Sequence, residues 1–214
     1  MKNNAVIFAL DGTLLDTLDD LVESVNFALK KGGYPARTKE EVRKAAGGSM
    51  GDIVRKSVPK GTTWEESWEL IEPCNQHFLE ADGGAKAYKG AKKLIEALVE
   101  KGVKVAIISD KPEENAKKAV KKYFGSKVEF VYGLNEDTKK RPAPDMIFNA
   151  VKDMKVLPTH TTYVGNDALD VQMAKNAGIK GITVSWGYKD REYLENHAAG
   201  TIVDTPEELL AIVG

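Results

Sequence analysis

A layered α/β fold with an inserted all-α unit is predicted by three features of this 214-residue chain. Short β-branched runs alternate with long charged segments of helical period, the pattern of a parallel sheet covered by helices on both faces. Residues 16–84 break that rhythm, with helical periodicity and no convincing strand. Polar clusters follow several of the apolar runs, where the strand ends of an open parallel sheet gather ligands.

The first run, Ala5 to Ala9, is too short and too soon followed by Asp11 for a signal peptide, and reads as a buried strand. The insertion then places helices over Leu18–Lys31, Lys39–Ala46, Gly51–Val58 and Trp64–Ala81, a four-helix unit returning near Gly83-Gly84. Trp64, Trp68 and Phe78 are expected in its core. Gly90–Lys101 carries Ala91, Leu94, Ile95 and Leu98 on one face and ends at Gly102. Strands are expected at Val103–Ser109, Val128–Tyr132, Thr161–Val164, Gly181–Ser185 and Thr201–Val203. Helices are expected at Pro112–Tyr123, Asp145–Met154, Val171–Ala177 and Pro206–Val213, the last with Thr205 as N-cap ahead of Pro206. The division is therefore a core of 1–15 and 85–214 and a helical insertion of 16–84.

Composition narrows the function classes. The chain is 42% hydrophobic and 29% charged with net charge -1, so it lacks the basic balance that favours nucleic acid as a partner. No apolar run approaches the roughly 20 residues that span a bilayer, so no membrane is expected, and a reducing cytoplasm is the simplest compartment. One cysteine, Cys74, excludes an internal disulfide. With three scattered histidines it also excludes a zinc cluster of familiar spacing. Oligomeric state is not read from the sequence.

Four polar clusters carry the chemistry: Ala9 to Thr13, Ser109-Asp110-Lys111, Arg141-Pro142-Ala143-Pro144-Asp145, and Gly165-Asn166-Asp167-Ala168-Leu169-Asp170. In order and spacing they resemble the four motifs of the haloacid dehalogenase (HAD) superfamily of phosphatases, over essentially the whole chain. The branch most similar is that of phosphoglycolate phosphatase and β-phosphoglucomutase, with a Rossmann-like three-layer core and a helical cap inserted after the first motif. Leu15-Asp16-Thr17, Gly47-Gly48-Ser49-Met50-Gly51 and Ser185-Trp186-Gly187-Tyr188 fit the cap-bearing pattern.

The resemblance implies Mg²⁺-dependent hydrolysis of a small phosphorylated metabolite through an aspartyl phosphate. Asp11 matches the general acid and base, Thr13 and Ser109 would bind phosphate, Asp110 and Arg141 would line the same pocket, and the fourth motif would hold the metal. Three departures stand against it. Ala9 occupies the nucleophile position, Asn166 the position of a metal aspartate, and Arg141 that of a lysine, whose compact ammonium a planar fork does not reproduce. Asp11, Asn166, Asp167 and Asp170 are left as a weak metal set, and Asp167 and Asp170 fit equally well as helix N-terminal acids. Loss of a nucleophile costs on the order of 10⁶ in kcat in hydrolases. Three readings follow: a phosphatase scaffold disabled by redesign or degeneration, an active hydrolase or phosphomutase with a shifted carboxylate role, and a non-enzymatic module that grips inorganic phosphate or a phosphorylated metabolite.

Overall fold

A computed structural model of the chain describes residues 4–81, 84–197 and 200–214. Gly83, where the insertion was expected to return, lies outside them. In chain order the elements are β1 (Ala5–Ala9), β2 (Leu15–Asp16), α1 (Leu18–Lys31), α2 (Lys39–Ala45), α3 (Met50–Ser57), α4 (Trp64–Glu69) and α5 (Ile71–Glu80). Then come β3 (Lys86–Ala87), α6 (Ala91–Glu100), β4 (Lys104–Pro112), α7 (Glu113–Phe124), β5 (Phe130–Leu134) and α8 (Asp145–Asp153). The chain finishes with β6 (Thr161–Gly165), α9 (Ala168–Asn176), β7 (Lys180–Val184), α10 (Arg191–His197), β8 (Thr201–Val203) and α11 (Pro206–Val213). Contacts divide it into two compact units, Met1–Asp16 with Lys86–Gly214, and Thr17–Ala85.

The first unit is a six-stranded sheet of order β5-β4-β1-β6-β7-β8, every neighbouring pair parallel. Strand alternation builds two cores from one ribbon. Val6 and Phe8 join Leu94, Ile95 and Leu98 of α6, Val120 and Phe124 of α7, and Leu209 and Val213 of α11. Ala5, Ile7 and Ala9 join Met146, Ile147 and Ala150 of α8 and Met173 and Ala174 of α9. The result is helix, sheet, helix. Phe8 alone, fully buried, contributes about 1.5–3 kcal/mol of apolar transfer.

Because the chain runs outward from β1 through β4 to β5, then resumes on the other side at β6, the order reverses between β1 and β6. Crevices at the carboxyl ends of strands open at such a reversal. Three elements carried no sequence signal: β2 and β3, which form a two-residue antiparallel pair, and α10. Two residues are too few to show a period.

In the second unit, α1 packs on α5 and α2, and α3 packs on α2 and α5. Leu21, Val25 and Leu29 supply the inward stripe of α1 at four-residue spacing, and Val42, Ile53, Val54, Leu70 and Cys74 of the other helices and their junctions are buried too. Burial pushes the Cys74 thiol up to about 12, so it stays protonated as a small apolar residue. The single helix expected over Trp64–Ala81 is two, α4 and α5, broken at Leu70. Pro73 explains the break: it has no N–H for the Glu69 carbonyl, and its ring collides with that oxygen in a continuous helix. The expected burial of the tryptophans also fails. Trp64 is 48% exposed and Trp68 60% exposed, while Phe78 is half-buried. No helix is long and apolar enough to cross a membrane among the described residues.

Candidate active site at the carboxyl ends of β1, β4 and β6

Register carries the first, second and fourth polar clusters to one place. Ala9 at the end of β1 pairs with Ile108 of β4, one residue before Ser109, and Phe8 pairs with Val164 of β6, two before Asn166. The turn after β1 is wound tightly: the N–H groups of Leu14 and Leu15 both donate to the Leu10 carbonyl, and Gly12 N donates to Leu15 O at 2.8 Å. Gly12 adopts φ +74°, and a Cβ there would lie 2.7 Å from Asn166 Oδ1. Only glycine fits that conformation and that approach.

Asn166, buried, is the keystone of the turn. Its Nδ2 donates to the Asp11 carbonyl at 3.0 Å and to Thr13 Oγ1 at 3.0 Å. A carbonyl can only accept, so the amide must present its NH₂ to Asp11. Trp186 Nε1 donates to the Thr13 carbonyl at 3.0 Å, which makes this tryptophan a wall of the turn. Ala9 is 4% exposed and offers only a methyl group.

The charged residues meet one another. Lys111 Nζ donates to Asp11 Oδ1 at 2.6 Å, and Ser109 Oγ lies 3.4 Å from Asp11 Oδ2. Arg141, reaching in from the loop before α8, donates from Nε to Asp110 Oδ2 at 2.8 Å and from NH1 to Asp170 Oδ1 at 2.7 Å. Asp170 receives three further donors: the Tyr163 hydroxyl at 2.6 Å, Asn166 N at 2.8 Å and Asp167 N at 3.2 Å. Asp167 caps α9, its Oδ1 accepting from Asp170 N at 3.0 Å in a reciprocal capping box.

Electrostatics follow from burial and pairing. Burial, reinforced by the neighbouring Asp170 carboxylate, pushes Asp167 up to about 6. Burial works to lower Arg141, but the Asp170 and Asp110 carboxylates outweigh it and hold the guanidinium well above its ordinary range. Burial and Asp170 together raise the Tyr163 phenol. That phenol therefore donates to Asp170.

All nine sequence-derived site residues, Ala9, Asp11, Thr13, Ser109, Asp110, Arg141, Asn166, Asp167 and Asp170, thus lie in this region or bond to residues that do. Lys111 closes the second polar cluster, but its pairing with Asp11 was not assigned from the sequence, and Tyr163 as donor to Asp170 carried no motif. A buried tyrosine hydroxyl needs a partner, and that was the available hint for Tyr163.

The residues present do not fit Mg²⁺. The Ala9 side chain has no oxygen, Asn166 turns N–H groups toward the acceptors a cation would use, and both oxygens of Asp170 are committed to four protein donors. Among the described residues no group of three or more His, Cys, Asp or Glu is placed to hold a metal ion. The expected set of Asp11, Asn166, Asp167 and Asp170 is dispersed into separate hydrogen bonds because burial demands a donor for each acceptor.

A haloacid dehalogenase-like hydrolase family model matches residues 6–184. The chain belongs to that family. Among HAD-like relatives, it is 29% identical over 217 residues to pyrophosphatase PpaX of Anoxybacillus flavithermus, covering all of this chain and 98% of that protein. It is 27% identical over 211 residues to a Pseudomonas fluorescens phosphoglycolate phosphatase, covering 96% of this chain and 78% of that one. The crystal structure of a candidate phosphoglycolate phosphatase from Lactobacillus delbrueckii subsp. bulgaricus superimposes with TM-score 0.93 at 29% identity, each chain covered in full. The HAD-like fold and the relation to phosphatases rest on these likenesses.

Proposed function

We propose that this chain is a HAD-like phosphatase scaffold in which hydrolysis of small phosphate monoesters is disabled, with the helical unit Thr17–Ala85 as its substrate-selecting cap. The observation that carries the reading is Ala9. It occupies the end of β1, at the centre of the converging strand ends, with a side chain that cannot attack phosphorus. Asp11 keeps the acid/base position, but its carboxylate is ion-paired to Lys111, and the nucleophile position at the end of β1 carries only the Ala9 methyl group.

Charge disfavours the reading as a phosphate-gripping module. Asp11, Asp110, Asp167 and Asp170 set four carboxyl groups against the two cations Lys111 and Arg141, and each cation is engaged by one or more of them. An incoming phosphate would have to displace a carboxylate to reach either cation. Without a divalent cation the site repels the ligand class its family relatives are named for. The shifted-carboxylate reading is disfavoured by the same pairing, since Asp170 is fully hydrogen-bonded and Asp167 caps a helix.

Hydrolysis of p-nitrophenyl phosphate with and without Mg²⁺ tests the reading. The wild-type chain is expected at the blank. Turnover within about a hundredfold of an ordinary enzyme, for which kcat is roughly 1 to 10³ per second, overturns it. Ala9→Asp combined with Asn166→Asp is expected to restore Mg²⁺-dependent release of phosphate, because the pair returns two oxygen ligands and removes the amide from the Asp11 carbonyl.

A further inference from the structure

A second feature lies wholly within the helical unit and is independent of the strand-end site. Trp64 and Trp68, one turn apart on α4, stand with ring centroids 5.6 Å apart and are 48% and 60% exposed. Two adjacent half-exposed indoles are unusual on a monomer, since contiguous exposed apolar surface marks interaction sites and tryptophan is enriched at interface centres. With Glu65 and Glu69 they line an open cleft of about 560 Å³.

On the other side of Trp64 the character reverses. A pocket of about 290 Å³ shares Trp64 as a wall and is lined by Arg55, Lys56 and Lys60. The Arg55 guanidinium lies 4.4 Å from the Trp64 ring centroid, so an indole of this patch already accepts a guanidinium on its face. The patch therefore has a basic half and an acidic half with Trp64 at their border. Such a surface complements itself: in a two-fold arrangement each half meets its opposite on the second copy, and both contacts form twice.

We propose that the surface formed by Trp64, Trp68, Glu65 and Glu69 beside Arg55, Lys56 and Lys60 is a self-association site, and that its occupant is a second copy of this chain. The indoles are buried at the centre, and the basic half of one copy lies against the acidic half of the other. Charge pairing makes the association salt-sensitive, and the exposed position of Trp68 separates the contact from the stability of the fold.

Sedimentation equilibrium over a range of concentrations tests this. The average mass is expected to rise from one chain towards two, and to fall back at high salt. Trp68→Ser is expected to leave a single-copy mass with an unchanged melting temperature. Two charge-reversed variants, Lys56→Glu with Lys60→Glu, and Glu65→Lys with Glu69→Lys, are each expected to remain single, whereas their equimolar mixture pairs. A mass that stays at one copy at every concentration, which would assign the patch to a different partner, overturns the proposal. So does association that Trp68→Ser and the charge reversals leave untouched.

Discussion

The same local device, a reciprocal capping box, occurs in both units with opposite electrostatic consequences. In the helical unit it recurs at Thr38–Glu41, Ser49–Asp52 and Thr63–Glu66, each near solvent. Hydrogen bonds from Thr38, Ser49 and Thr63 hold the carboxyl groups of Glu41, Asp52 and Glu66 below their ordinary range. In the core the box is Asp167–Asp170, in which the N-cap is itself an acid in place of a serine or threonine, and there burial pushes that N-cap acid, Asp167, up to about 6. Water makes the first kind self-sufficient. The second needs tertiary help, and Arg141 and Tyr163 supply it to Asp170. A helix cap placed in a strand-end crevice thus becomes a charge problem that distant parts of the chain must solve.

Removing that help should have the largest effect. Arg141→Ala leaves Asp170 and Asp110 without their counter-charge, and urea unfolding should show a loss of about 3–5 kcal/mol, the range for stripping one partner from a buried pair. A loss below about 1 kcal/mol would mean that the core box is as self-sufficient as the exposed ones.

Asp167→Asn should act in the opposite direction. The acid is raised from 3.8 to about 6, so the folded chain binds the proton more tightly than the unfolded chain. The stability this contributes is complete below about pH 3.8 and disappears as pH rises through about 6. Asparagine caps a helix as well as aspartate does and removes the buried charge. The variant should therefore gain about 1–3 kcal/mol over wild type at pH 7, with the gain vanishing below pH 4. Equal stability of the two at pH 7 would contradict the burial argument.

The smallest effect is expected at an exposed box. Ser49→Ala removes the acceptor for Asp52 N and the hydroxyl that donates to Asp52 Oδ2 at 2.7 Å, and should cost about 1 kcal/mol at pH 7. Because Asp52 is lowered, the charged part of that contribution is present above about pH 3.8 and fades in acid. At neutral pH the two cap substitutions are thus expected to differ in sign, one stabilising and one destabilising.

Much of the sheet was legible because each central strand is a β-branched run between polar segments, and β1 and β8 fall at the residues expected. The remaining strands are displaced by one to three residues at their ends, where hydrogen bonding to a neighbour, not composition, sets the limit. Helix α1 and helix α11 match their expected ranges. The split of Trp64–Ala81 was present in the sequence as Pro73, whose effect periodicity alone outweighed. The exposure of Trp64 and Trp68 was not legible, since helical spacing reports that residues share a face but not what that face meets.

The chain's sequence alone determined that no nucleophile exists at the end of β1, because a methyl side chain has no chemistry that any fold could add. It also determined the alternation of the main strands and helices of the sheet, which follows from local period and turn residues, though not β2, β3, α10 or the division of α4 from α5. Only the tertiary structure decided what the other polar residues do. Asn166 faces the Asp11 carbonyl, Lys111 pairs with Asp11, and Arg141 bridges Asp110 and Asp170. These are contacts across about 30 to 155 positions of sequence. Burial at converging strand ends obliges every acceptor to find a donor, and which donor it finds depends on what the sheet brings within reach.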